Sequence, residues 1–380
     1  MVFELKLFDT TLIEFEFEEK YLVGQVCRIN FIDENNRRLL SIGMKVTDEG
    51  LLNWLKTRVI PKNREFVSQI LSRSGLAPND TLGIIKLCKG MSLNDSYWVV
   101  EKGFKGKFSD FNLYENSFSR ALSLIAYTGY GSNTAKGFTS SPEFTTNGML
   151  RKCWRRLNKK IYLYKGGTVG AANTGNEPYS EFYAAQIAEK MGLKHVSYNL
   201  AKWKGTLCST CELFTDINTS YVPIYRFTEK GTLPEIAKYL KTLGEAFYDE
   251  FVDMLIFDAL IYNTDRHCGN FGLTVDNGTN LPIAFAPIFD NGLSLFNYAM
   301  DDEIENLKEY SKTRVSAFGV PYSDIVREFI TERQKEQLRK MINFKFDKHK
   351  KFNLPQKRLT KIEEFLQFRV RELLDVKNNK

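Results

Sequence analysis

Residues 263–295 read NTDRHCGNFGLTVDNGTNLPIAFAPIFDNGLSL, and they concentrate side chains suited to one chemistry. Asp265 is followed by Asn270, and Asp290-Asn291-Gly292 comes near the end of the stretch. Transfer of a phosphoryl group to a hydroxyl needs a carboxylate that aligns the acceptor and takes its proton. It also needs oxygen ligands that hold magnesium against the nucleotide phosphates. Asp265 suits the first task, and Asn270 with Asp290 suits the second. Magnesium retains several waters and takes one or two protein carboxylates, so one Asp and one Asn amide oxygen form a sufficient protein contribution. A D-x-x-x-x-N spacing alone recurs by chance; a hairpin and a D-x-G behind it give it weight. The competing reading makes Asp265, Asn277 and Asp290 turn formers, since Asp and Asn favour tight loops. His267 is placed to orient the loop by hydrogen bonding, and no neighbouring nucleophile makes it a Ser/His or Cys/His site.

The elements around this stretch are those such chemistry needs. An apolar helix over residues 246–263 runs directly into Asp265 and can serve as a platform for the loop. Strands over 271–275 and 282–289, joined at Asp276-Asn277-Gly278, predict a hairpin that returns Asp290 to the end holding Asn270. Upstream, 149–156 and 161–165 form a second hairpin, with Ile161, Leu163 and Lys165 on one face by alternation. Lys165 is then either a partly buried cation or an edge lysine whose stem covers apolar surface. A glycine-rich loop (166–175) leads to a helix with Ser180 as N-cap and Gly192 as its stop. Its apolar stripe is Tyr183, Ala184, Ile187, Ala188 and Met191, and Glu181 projects from that stripe. A carboxylate there calls for a cation, with Lys165 nearest in sequence, or else is held by the helix dipole alone. A further helix is expected over 236–243.

Residues 1–128 read as a separate α+β docking or regulatory region. Early strands alternate apolar and polar side chains, helices are expected near 50–55 and over 62–74, and a strand over 91–102. Gly, Ser, Thr and Asn dominate 129–146, which reads as a linker entering a loop.

Composition excludes several classes. The 380 residues are 43% hydrophobic and 26% charged, far from the profile of a disordered chain. The longest apolar runs fall well short of the roughly 20 residues that span a bilayer. The N-terminus alternates apolar with acidic residues, unlike a signal peptide, and a cytoplasmic location is expected. Six cysteines give no disulfide framework, and only Cys208 and Cys211 form a CxxC. No second ligand pair accompanies it, so two reduced cysteines in or beside a turn are expected rather than zinc. Residues 331–380 carry 15 Lys or Arg against 7 Asp or Glu, so the net charge of +7 is a C-terminal property. Such a patch is a solvated helical face or a site for RNA or an acidic protein. Direct DNA binding is not expected, since no zinc finger or basic zipper is present.

The run Asn263-x-Asp265-x-His267-x-x-Asn270, followed by Asp290-x-Gly292, resembles the catalytic core of HipA-like serine/threonine protein kinases. The resemblance covers roughly residues 139–295 and more loosely the helical C-terminus. It implies an α+β fold of the divergent two-lobed protein-kinase-like type, with a nucleotide lobe over 129–230 and a mainly helical lobe over 231–380. It further implies Asp265 as catalytic base, Asn270 and Asp290 as magnesium ligands, Lys165 as the lysine on the nucleotide phosphates and Glu181 as its partner. Thr145, Thr146, Asn147 and Gly148 resemble the phosphate-covering loop, with Thr145 or Thr146 as an autophosphorylation site. His267 and Asn263 would orient the catalytic loop.

The expected activity is ATP- and magnesium-dependent transfer of the γ-phosphoryl group to Ser or Thr hydroxyls of a protein. Toxin–antitoxin membership and a regulatory or antitoxin partner follow from the same resemblance. A kinase of a small-molecule or phosphoinositide hydroxyl, and a catalytically silent kinase-like binding module, are the alternatives.

Overall fold

The computed structural model describes residues 1–20, 24–131, 141–171 and 173–377. Half of the expected linker, residues 132–140, lies outside the described residues. The chain divides into two compact units, the first formed by Met1–Tyr164, Leu213–Val222 and Thr274–Ile283. The second is formed by Lys165–Glu212, Pro223–Leu273 and Ala284–Lys380.

In the first unit, β1 (Val2–Leu7), β2 (Thr10–Lys20) and β3 (Gly24–Ile32) precede α1 (Asp48–Lys56), α2 (Val67–Ser72) and α3 (Thr81–Cys88). β4 (Tyr97–Glu101), α4 (Arg120–Thr128) and β5 (Lys152–Leu157) follow, and the chain leaves this unit within β6 (Lys160–Gly166). The first sheet is ordered β3-β2-β1-β4, with β1 antiparallel to β2 and β4. Alternation in β1 and β2 sends Phe3, Leu5, Leu7, Phe15 and Phe17 to one side, where they pack with Leu51, Trp54 and Leu55 of α1. A second cluster joins Met91, Leu93, Trp98, Phe108, Leu113 and Ile161.

Two expectations here are corrected. The helix predicted over 62–74 is only α2, because Phe66 adopts a left-handed φ of 62° and residues 61–64 form a turn closed by the Arg64 N–H on the Pro61 carbonyl. The strand predicted over 91–102 shortens to β4, because the Ser92 hydroxyl accepts from the Asn94 N–H and the Asp95 carboxylate from the Tyr97 N–H.

The second unit takes the end of β6, then α5 (Glu177–Met191), β7 (Tyr198–Trp203) and β8 (Thr206–Glu212), the last two an antiparallel pair. Cys208 and Cys211 lie inside β8 and are buried, not in a turn. Helix α5 begins before Ser180, with Pro178 in its first turn and Asn176 preceding it. Ser180 instead donates its hydroxyl to the Ser294 carbonyl at 3.0 Å, and Gly192 ends the helix at φ 82°. After β9 (Thr219–Pro223) come α6 (Leu233–Leu243) and α7 (Glu245–Ile261). Every residue of α7 from Phe251 to Ile261 is buried, so it is a central helix rather than an amphipathic one.

β10 (Gly272–Asp276) and β11 (Leu281–Phe285) form the expected hairpin, but not through an Asn-Gly turn. The loop is longer: Asn280 at φ 60° returns its N–H to the Asp276 carbonyl at 2.7 Å. Asn277 is buried, its amide donating to the Ile217 carbonyl at 2.9 Å and the Ser96 hydroxyl at 3.2 Å. β11 also stops short of residue 289. Pro287 has no N–H for a ladder, and Ile288 pairs instead with Lys194 and Val196. The short helices α8 (Asp301–Glu305), α9 (Leu307–Ser311), α10 (Tyr322–Phe329) and α11 (Glu332–Arg339) precede the 20-residue α12 (Gln356–Asp375). α6, α10, α11 and α12 pack around α7. Among the described residues no helix is long and apolar enough to cross a membrane.

Candidate active site

At its C-terminal end α7 stops because Tyr262 turns left-handed (φ 54°) and the Asn263 N–H returns to the Asp258 carbonyl at 3.1 Å. The loop that follows is held from beneath by a residue that spacing did not reveal, Arg266. Its guanidinium is buried and pairs with both oxygens of Asp258, at 2.9 and 3.1 Å. It also donates to the Asn270 carbonyl at 3.0 Å, to the Asn291 side-chain oxygen at 2.6 Å and to the Phe289 carbonyl. One side chain thus joins the platform helix, the Asp265 loop and the residues flanking Asp290. Burial opposes its charge, and Asp258 more than restores it, holding Arg266 above the usual arginine range. The available signal was Asp258 itself, a carboxylate between Phe257 and Ala259 in the buried half of the helix, which burial alone would penalise severely.

The loop's own hydrogen bonds complete it. Asn263 receives the Asp265 N–H at 3.1 Å and donates to Asp258 at 3.2 Å, while its carbonyl accepts the Tyr322 hydroxyl at 2.6 Å. His267 accepts the Gly269 N–H on its ring nitrogen at 3.0 Å. Asn270 donates its amide to the Asp265 carbonyl at 2.9 Å, so its side-chain oxygen is the atom presented outward.

A second group converges on Lys165 at the end of β6. Its amine donates to Glu181 of α5 at 3.0 Å and also contacts Asp290. Glu181 is fully buried, and its other oxygen accepts the Asn291 N–H at 2.7 Å. The two open readings of the sequence therefore resolve together: Lys165 is a partly buried cation, and Glu181 is its partner. Burial pulls the Lys165 amine down, but Asp290 and Glu181 outweigh it and hold the group above the usual lysine range. Glu181 is pushed up by burial, with Lys165 opposing the rise. Gly292 lies against this group, where a Cβ would stand 3.5 Å from a Glu181 oxygen and 3.6 Å from the Lys165 amine. Any longer side chain would enter the site.

Asp265 is raised above the usual aspartate range, first by burial and then by the charge of Asp290, with His267, Lys165 and Arg266 opposing. Glu181, Asp265 and Asp290 thus bring three carboxylates against one lysine, because Arg266 is spent on Asp258. This excess of negative charge, with hard oxygen donors on Asp290 and Asn270, fits a small divalent cation that keeps most of its ligands from water and phosphate. Among the described residues no group of three or more His, Cys, Asp or Glu side chains is set to hold a metal by itself.

A further cluster escaped the sequence reading. Glu177, buried in the first turn of α5, accepts the Thr168 hydroxyl at 2.6 Å, the Thr168 N–H at 3.2 Å and the Tyr298 hydroxyl at 2.9 Å. It pins the loop after β6 to the segment beyond Gly292.

Thr145, Thr146, Asn147 and Gly148 belong to the first unit. Thr145 is buried and donates its hydroxyl to the Met91 carbonyl at 2.7 Å. Thr146 donates to the Pro142 carbonyl at 2.6 Å, and Lys152 reaches the Asn147 carbonyl at 2.9 Å. Gly148 adopts φ 90°, a conformation L side chains rarely enter. Arg64 braces the loop, donating to the Thr146 carbonyl at 3.1 Å and the Lys152 carbonyl at 2.6 Å while paired with buried Glu143 at 3.1 Å. Both threonine hydroxyls thus already donate to backbone carbonyls in this conformation.

No family model matches the chain. Over 165 residues it is 32% identical to the serine/threonine-protein kinase CtkA of Helicobacter pylori (strain J99), a match covering 38% of this chain and 50% of CtkA. The chain thus spans about half the length of that curated relative. The crystal structure of the proinflammatory kinase CtkA from Helicobacter pylori aligns with a TM-score of 0.46 at 20% identity, over 59% of this chain and 90% of that one. A chain of the Shewanella oneidensis MR-1 toxin–antitoxin complex of HipA, HipB and operator DNA aligns over 99% of this chain and 100% of its own length, with a TM-score of 0.53 at 12% identity. The chain resembles the HipA-like serine/threonine kinases. Its mixed α+β, kinase-like fold is the HipA-like one, as the sequence led us to expect, and the likeness at 12% identity concerns the fold alone.

Proposed function

We propose that the chain is an ATP- and magnesium-dependent kinase that transfers the γ-phosphoryl group to Ser or Thr hydroxyls of a protein. The observation that carries this reading is the convergence of Lys165, Glu181 and Asp290, with Asn291 and Asn270 tied through Arg266 to the loop that bears Asp265. A scaffold has no need for a partly buried lysine shared by two carboxylates beside a third carboxylate of raised pKa.

In this reading Asp265 accepts the hydrogen bond of the acceptor hydroxyl and then its proton. The hydroxyl oxygen bonds to the γ-phosphorus as the bridge to the β-phosphate breaks and ADP leaves. Lys165 stabilises charge on the phosphate oxygens, and Glu181 fixes where its amine stands. Asp290 and Asn270 would hold magnesium, which when bound neutralises phosphate charge. Thr145, Thr146, Asn147 and Gly148 are assigned the phosphate-covering role by resemblance. Autophosphorylation at Thr145 would first require its bond to Met91 to open. The division into a docking region (1–128), a nucleotide lobe (129–230) and a catalytic lobe (231–380) belongs to the same proposal.

The Shewanella neighbour was solved with HipB and operator DNA. A regulatory protein partner of antitoxin type is therefore part of the proposal for this chain. An RNA or acidic protein at the C-terminal basic residues is a further part of the proposal: Arg358 is held by the Ala299 and Phe296 carbonyls, whereas Lys345 and Lys357 pair with Glu363 and Glu305 and stay exposed.

The acceptor is tested by offering labelled ATP with magnesium to the protein alone, to Ser- and Thr-containing proteins, to phosphoinositide vesicles and to small alcohols. Label on protein Ser or Thr is expected; label confined to lipid or small alcohols overturns the protein-kinase reading. Replacing Lys165 by Met is expected to weaken nucleotide binding about tenfold or more, roughly 1.4 kcal/mol, measured by titration with a fluorescent ATP analogue. The pH profile carries a further expectation. Asp265 must be ionised to take the proton, and its raised pKa means that activity is lost on acidification at a pH above the usual aspartate value of about 3.9. A kcat/KM profile flat down to that value would contradict the assignment.

A further inference from the structure

Asp290 occupies a left-handed backbone conformation at φ 55°, unusual for a residue other than glycine. Its N–H donates to the Tyr198 hydroxyl at 3.2 Å. Tyr198 is the first residue of β7, and its register partner across the sheet is Cys211 of β8. One end of the CxxC motif, which the proposed chemistry leaves unused, is thus the cross-strand neighbour of the tyrosine whose hydroxyl meets the main chain of Asp290.

The conformation of Asp290 decides where its carboxylate points. On the opposite side the side chain is engaged by Lys165, so the residue is held at its main chain by Tyr198 and at its carboxylate by the lysine. Groups that fix a ligand's backbone or side chain from behind shape metal affinity without touching the metal.

We propose that Tyr198, backed by Cys211, is a positioning residue for Asp290 and thereby sets how strongly the site takes a divalent cation. The inference rests on the reading of Asp290 as a metal ligand. Phenylalanine at 198 keeps the ring and removes only the hydroxyl.

The test uses the full chain, with manganese as the probe cation, in wild type, Tyr198→Phe, Cys211→Ala and Asp290→Asn. Manganese binding in the presence of an ATP analogue is followed by the loss of free-ion paramagnetic signal, and exchange of the Asp290 amide is followed without metal or nucleotide. Tyr198→Phe is expected to raise the manganese midpoint about tenfold and to speed exchange of the Asp290 amide, with metal-free nucleotide binding unchanged. Cys211→Ala is expected to move both readouts in the same direction and less far. Unchanged midpoint and unchanged amide protection in Tyr198→Phe would overturn the positioning role. Equal manganese binding by wild type and Asp290→Asn would instead overturn the metal-ligand reading, while amide exchange would still report whether Tyr198 holds Asp290.

Discussion

Asp265→Ala is expected to lower phosphoryl transfer by about 10²- to 10⁴-fold while nucleotide binding stays close to wild type. The asymmetry follows from where the residue sits. Its carboxylate belongs to the loop after α7, whereas the lysine assigned to the phosphates is held by Glu181 and Asp290 from other segments. Removing Asp265 also removes a charge that opposes Asp290, so the remaining carboxylates are relieved rather than strained. Single-turnover transfer and equilibrium binding of an ATP analogue separate the two effects. Loss of both in parallel would mean that Asp265 shapes the nucleotide site instead of aligning the acceptor.

The second large effect is expected at Arg266. Arg266→Met leaves Asp258 without its cation in the interior, and breaking a buried pair on one side costs about 3–5 kcal/mol. The same change releases the Asn270 and Phe289 carbonyls and the Asn291 side chain, so activity is expected to fall even where the fold survives. The double variant Asp258→Asn with Arg266→Met is expected to recover part of the stability and none of the activity. Denaturant unfolding of the two single variants and the double variant measures the coupling. Independent, additive losses would show that the pair does not act as a unit.

Arg266 also marks the limit of what spacing conveys. Asp265, Asn270 and Asp290 were legible because their order, with a hairpin between them, is hard to produce by turn preference alone. An arginine inside a polar loop reads as a solvated side chain, and only the fold turns it inward. Lys165 and Glu181 were legible as candidates from periodicity and as a pair only through the family resemblance, since alternation and helical periodicity each give a face and not what that face meets. Ser180 looked like a cap because serine favours that position, yet tertiary demand from the Ser294 carbonyl took its hydroxyl and Pro178 moved the helix start upstream. The Asn277-Gly278 pair carried the sequence pattern of a tight turn, but Asn277 was recruited to satisfy the buried Ile217 carbonyl. In each case local preference was overruled by a polar group that had to be paired in the interior.

The most direct test follows the γ-phosphoryl group itself. Purified chain is incubated with γ-labelled ATP and magnesium, beside Asp265→Ala and Asp290→Asn, and label on protein Ser or Thr is measured together with ADP formed. The account predicts magnesium-dependent label and ADP for the wild type and neither above background for the two variants. Equal ADP formation and equal label in all three would contradict it.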